Sequence, residues 1–185
     1  MGGRSGIASG SAAAVFLVSA LVLSLQIAFI RALSLDTYHH FTYLVISTPL
    51  LRFGASGTVL SVFSRTVRRR FLELSAGALV LLVLSAAWAY RGAVLLRPDL
   101  QYVLYSGAEV LRLWAHALAL FLPFFFGGLF IGMNLGRFPG TLGIVYGANM
   151  AGSGLGGVAG VGLAFIAGPY RMPGVIALLG VVALL

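Results

Sequence analysis

The chain has no cysteine and no lysine, and only four of its 185 residues are acidic. The lack of cysteine excludes disulfides, thiolate nucleophiles and thiolate metal sites. The four carboxylates, Asp36, Glu73, Asp99 and Glu109, are scattered over separate loops and helix ends. They form no acid–base pair of the kind hydrolysis needs, and no serine sits in a nucleophile elbow. No catalytic constellation and no cofactor are therefore expected within this chain. Charged residues are 9% of the total, against about 25% in a soluble domain. That is too little polar surface to cover a globule of this length. All twelve basic residues are arginines, for a formal net charge of +8. A basic balance also suits nucleic acid. Here the arginines punctuate apolar runs, which places them near lipid headgroups and excludes nucleic acid as the expected partner.

Apolar sequence fills the chain instead, with 60% hydrophobic residues. Five runs reach the length of about 20 residues that a helix needs to cross a bilayer: 12–30, 38–63, 71–90, 113–135 and 141–167. The second is broken by Pro49 and Arg52. A sixth, 172–185, spans only about 20 Å at 1.5 Å per residue, so it reads as a truncated span. Residues 1–11 are rich in Gly and Ser and read as a flexible N-terminus. The first run ends in Gln26-Ile-Ala-Phe-Ile-Arg31, which is no signal-cleavage site, so it reads as retained. Strands of a membrane barrel alternate apolar and polar residues. Stretches such as Ala78-Leu-Val-Leu-Leu-Val-Leu-Ser-Ala-Ala87 do not alternate. The expected fold is all-α: a polytopic transmembrane helix bundle of about six spans over residues 12–185, with the lipid bilayer as its first partner.

Arginine placement sets the orientation. Arg65, Arg68, Arg69 and Arg70 form the densest cluster, between the second and third runs. With that cluster in the cytoplasm, Arg4, Arg137 and the N-terminus share its side. Tyr38, Tyr43, Trp88, Tyr90, Tyr102, Tyr105 and Trp114 then gather near the outer face as an aromatic belt. The expected location is the inner membrane, crossed several times.

The string from Gly147 to Gly160 has two readings. Gly152, Gly154 and Gly157 spell the G-x-G-x-x-G turn of a dinucleotide site. Such a site needs a strand before it and an acid about 20 residues after it. No acid follows Glu109. Gly152, Gly156 and Gly160 instead recur every four residues, which makes a helix face that lets another backbone approach closely in lipid. Gly128, Gly132 and Gly136 repeat the device in the fourth run, and Gly54, Gly57 and Ser61 more weakly in the second. These stripes suit either a tight bundle or the sliding interface of a transporter.

Polar residues within the runs are candidate intramembrane sites. Arg52 follows the helix-breaking Pro49 by three residues. It reads as a contact for an anion or substrate, or as a structural charge bonded to carbonyls or snorkelling to the interface. Glu109, Arg112 and His116 share one helical face. They read as a proton or substrate path, or as an interfacial ion pair beside a satisfied histidine. His39 and His40 with Asp36 are too few for a metal site. Asn149, Asn134 and Gln26 read as interhelical hydrogen-bonding groups.

Two stretches carry a resemblance. One combines Arg31-Ala-Leu-Ser-Leu, His40-Phe-Thr-Tyr-Leu-Val-Ile-Ser and Phe53-Gly-Ala-Ser-Gly57. The other combines Leu122-Pro-Phe-Phe-Phe-Gly-Gly128 with Tyr146-Gly-Ala-Asn149-Met-Ala-Gly152 and Gly156. Together they resemble the membrane domain of bacterial spermidine synthase-like (fused transporter-like/spermidine synthase) transmembrane proteins. The resemblance implies a multi-helix domain preceding a cytoplasmic domain with the Rossmann-like fold of polyamine aminopropyltransferases. Any aminopropyltransferase activity would belong to that soluble partner domain, beyond Leu185. Gln26 stands where similar sequences often carry glutamate, and Arg52 where they are small or uncharged. The alternative expectation is a half-transporter that moves a small molecule as a dimer, a homo-oligomer of this chain.

Overall fold

The computed structural model describes residues 2–36, 51, 54–96, 98–99, 102–103, 105–137, 139–167 and 175–176. The fold is all-helical, with no strand among these residues. Helix α1 is Gly2–Asp36 and the described part of α2 is 54–62. Short α3 is Ser64–Arg69, α4 is Phe71–Leu95 and α5 is Gly107–Arg137. A single 3-10 turn, Pro139–Thr141, leads into α6, Leu142–Ala167. Arg52, Pro49, His39, His40 and the run 172–174 and 177–185 lie outside the described residues.

Among the described residues, four helices are long and apolar enough to cross a membrane, over Gly10–Arg31, Phe71–Ala89, Gly107–Arg137 and Leu142–Ile166. They mark a membrane-embedded protein. Helix α1 starts at Gly2, so residues 2–11, expected as a flexible N-terminus, continue the first helix. Extending an existing helix avoids the cost of nucleation, so a long apolar helix carries poor helix formers at its end. Helix α5 likewise runs one and a half turns ahead of its apolar stretch, because Glu109 and Arg112 anchor its first turn.

The bundle consists of two helix pairs, α1 with α6 and α4 with α5, joined where α1 crosses α5. In α1 and α6, matched residues ascend together: Phe16 meets Gly152, Ala20 meets Gly156 and Ser24 meets Gly160. The pair is therefore parallel, although its members are distant in sequence. Helices α4 and α5 are antiparallel, since Arg137 at the end of α5 lies over the ring of Phe71 at the start of α4, 3.9 Å from its centroid.

Burial is distributed as lipid requires. Helix α4 turns Ala78, Leu82, Ala86 and Ala89 inward, at steps of four and three residues, and leaves Leu72, Leu81, Leu84 and Trp88 exposed. Helix α6 is more extreme. It buries Val145, Gly152, Gly156 and Gly160 and exposes Leu155, Val158, Phe165 and Ile166. A soluble amphipathic helix does the reverse, burying its large apolar residues. Small residues inward with large apolar ones outward is the pattern of helices that meet through van der Waals contact in a hydrocarbon solvent. In water this surface would be an aggregation hazard.

Where α1, α4 and α5 meet, the core is built of larger side chains. Val15, Val18, Leu25, Phe29 and Leu82 are almost fully buried. Phe29 of α1 packs edge-on against Phe124 of α5 at 5.7 Å between centroids. Pro123 beside it is also buried. Having no N–H, it leaves the Ala119 carbonyl without its helical donor.

Candidate functional site

Three groups of residues have a geometry that calls for a chemical account. The first is the α1–α6 seam. A Cβ added at Gly152 would collide with the Phe16 carbonyl, and one at Gly156 with the Ala20 carbonyl. At Gly160 it would press on Ser24 and Ile27 at 3.1–3.3 Å. Gly154, one of the three glycines of the dinucleotide reading, has nothing within 4 Å. The string is continuous α-helix in α6, with no strand ahead of it among the described residues. Its backbone N–H groups are thus engaged within the helix and present no phosphate-cradling loop.

Hydrogen bonds stitch the same seam. Ser24 Oγ donates to the Gly156 carbonyl at 2.7 Å. Ser19 Oγ lies 2.7 Å from the Val15 carbonyl and 2.7 Å from the side-chain oxygen position of Asn149. A hydroxyl has one proton, so both contacts are hydrogen bonds only when Asn149 turns its Nδ2–H toward Ser19. Asn149 then donates to Ser19, and Ser19 donates to Val15. Asn134, by contrast, bonds within its own helix, donating from Nδ2 to the Phe130 carbonyl at 2.9 Å.

In α5 the glycines do different work. Gly128 is buried and Gly132 faces the Leu60 side chain, while Gly136 is exposed and has nothing within 4 Å of a Cβ. Gly127 is approached about as closely, since a Cβ there would strike Val22 Cγ2 at 2.6 Å, against 2.5 Å from Leu60 Cδ1 at Gly132. Sequence reasoning followed the four-residue stripe through Gly128 and passed over its neighbour. Pro123 and Phe124 one turn earlier were the available signal, because they mark the face of α5 turned to α1.

The second group closes the α4–α5 connection. Glu109 is largely buried and accepts from the Arg112 Nη1 donor at 2.5 Å. Its other oxygen accepts from the Asp99 backbone N–H at 2.8 Å. One carboxylate thus ties the loop to the first turn of α5, where its charge also suits the helix dipole. His116 is buried two turns further on. Exposed Trp88, Tyr102, Tyr105 and Trp114 surround this end of the bundle, as amphipathic rings do at a membrane interface. No group of three His, Asp or Glu side chains converges on a metal-sized space among the described residues.

The third group lies at the opposite end and was missed in the sequence. A cleft of about 390 Å³ opens between α3, the start of α4 and the end of α5. Its polar wall is Ser64, Arg68 and Arg137, and Phe71 and Gly136 complete its floor. Ser64 and Arg68 are one turn apart on α3, which projects both into the same space. Along α4 a second groove of about 380 Å³ descends from Glu73 to Leu81. Leu60, Val67 and Met133 form a wall common to both.

No family model matches the chain, and no curated protein or solved structure matches it.

Proposed function

We propose that the chain is the inner-membrane module of a spermidine synthase-like protein, a bundle of about six spans that anchors or serves a soluble aminopropyltransferase-like domain beyond Leu185. The observation that carries this reading is where the family-like residues lie. Asn149, Gly152 and Gly156 make the α1–α6 seam. Phe124 and Gly127 make the crossing of α5 with α1. The resemblance is thus one of packing, and packing is what an anchoring domain has to keep.

Two features support spans beyond the four long helices. The starts of α4 and α6 and the end of α5 share one end of the bundle, and parallel packing puts the start of α1 there too. This arrangement supports a returning span between Asp36 and Phe71, where the run 38–63 lies. Ile176 is buried against the core, which supports a further helix in the run 172–185. The positive-inside rule puts the end with Arg65, Arg68, Arg69, Arg70 and Arg137 in the cytoplasm, on the side where a soluble synthase would work.

The test is to express the complete reading frame in membranes and measure binding of S-adenosyl compounds and polyamines by equilibrium dialysis. Binding that needs sequence beyond Leu185 supports the proposal. A stop codon directly after Leu185, with no synthase gene beside it, overturns it. Uptake by proteoliposomes of the chain alone, abolished by Arg52→Leu, would replace it with the half-transporter reading.

A further inference from the structure

We propose that the cleft at the arginine-rich end is a seat for one anionic phospholipid, with its phosphate on Arg68 and Arg137 and an acyl chain in the groove along α4. The inference needs only that the bundle is embedded in lipid, and it is independent of what the bundle anchors.

The head end is chemically matched to a phosphate. Two guanidinium groups and the Ser64 hydroxyl line the cleft, and among the described residues no carboxylate does. Arginine recognises phosphate oxygens through paired donors in one plane. Stacking on Phe71 engages the face of the Arg137 guanidinium and fixes that plane. The floor at Gly136 is open because no side chain fills it. Arg65, Arg69 and Arg70 are exposed close by and strengthen the positive potential without lining the cleft.

The tail end is matched to hydrocarbon. The second groove is lined chiefly by apolar residues, among them Phe63, Leu74, Gly77, Leu81 and Leu129. Its one carboxylate among the described residues, Glu73, is exposed at the mouth. From Glu73 to Leu81 the groove follows α4 for about 12 Å, nearly the thickness of one leaflet of hydrocarbon. A cationic cleft at the interface that shares a wall with an apolar groove descending toward the midplane has the shape of one lipid molecule. A free phosphate would use the first half of the site and leave the second without a purpose.

Delipidated full-length chain titrated with phosphatidylglycerol or phosphatidylcholine and read by native mass spectrometry tests this directly. The anionic lipid should bind with a 1:1 adduct at least about tenfold more readily than the zwitterionic one. The pair Arg68→Gln with Arg137→Gln should remove that preference, whereas Arg65→Gln with Arg70→Gln should keep it. Gly136→Leu and Gly77→Leu fill the head and tail spaces without changing charge, at positions where nothing lies within 4 Å of the new Cβ. Each should lower lipid retention while leaving thermal unfolding in detergent unchanged. Equal loss in both arginine pairs means diffuse attraction to the surface and overturns the proposal. Inorganic phosphate competing fully with the lipid, with Gly77→Leu without effect, means an anion site with no tail groove and overturns it as well.

Discussion

Gly156 of α6 sits so close to Ala20 of α1 that a methyl group in place of its hydrogen would strike the Ala20 carbonyl oxygen. The obstacle is backbone, which cannot swing aside as a side-chain end can. Gly156→Ala should therefore force the helices apart and destabilise the bundle by about 1–3 kcal/mol. Gly154→Ala, two residues away on the open face, should leave stability unchanged. Unfolding of both variants in bicelles, followed by circular dichroism, makes the comparison. Equal stability would mean that the seam is not formed.

The Ser19–Asn149 contact marks the register of the seam. The chain has no cysteine, so a Ser19→Cys, Asn149→Cys pair can be introduced without background. Oxidation in native membranes should join these two, because their side chains already touch across the parallel seam. Phe165 lies 16 residues further along α6 than Asn149, about 24 Å, so a Ser19→Cys, Phe165→Cys pair should stay reduced. Asn149→Ala alone should cost about 0.6–1.7 kcal/mol, the range of interhelical hydrogen bonds in lipid.

Glu109 serves two partners with two oxygens, and its variants separate them. Glu109→Gln weakens the attraction to Arg112 but keeps an acceptor for the Asp99 N–H. Glu109→Ala removes both and leaves that amide to solvent. Hydrogen exchange at the Asp99 amide should therefore quicken sharply in the alanine variant and little in the glutamine variant. Similar exchange in both would show that the carboxylate does not hold the loop.

Much of this fold can be read from run length. The runs 71–90 and 141–167 lie within a few residues of α4 and of α6, because in lipid the hydrocarbon thickness sets helix length. The glycine face of α6 is also legible, since a spacing of four residues defines a stripe. Its mate is not. The facing surface of α1 is Phe16, Ala20 and Ser24, and the phenylalanine hides the small-residue pattern. Only tertiary contact reveals that the backbone at Phe16, and not its ring, is the surface used. The arginine cleft was illegible for a similar reason. Arg68 reads as one of a loop cluster and Arg137 as an isolated loop charge, and folding brings them together across more than a third of the chain.

The central claim is that the bundle crosses the membrane with Arg69 and Tyr105 on opposite sides. Both are exposed, and each can carry the only cysteine in the protein. Labelling with a membrane-impermeant maleimide in intact cells, then after permeabilisation, measures their sides. The account predicts that Tyr105→Cys reacts in intact cells and Arg69→Cys only after permeabilisation. Reaction of both in intact cells, or of Arg69→Cys alone, would contradict it.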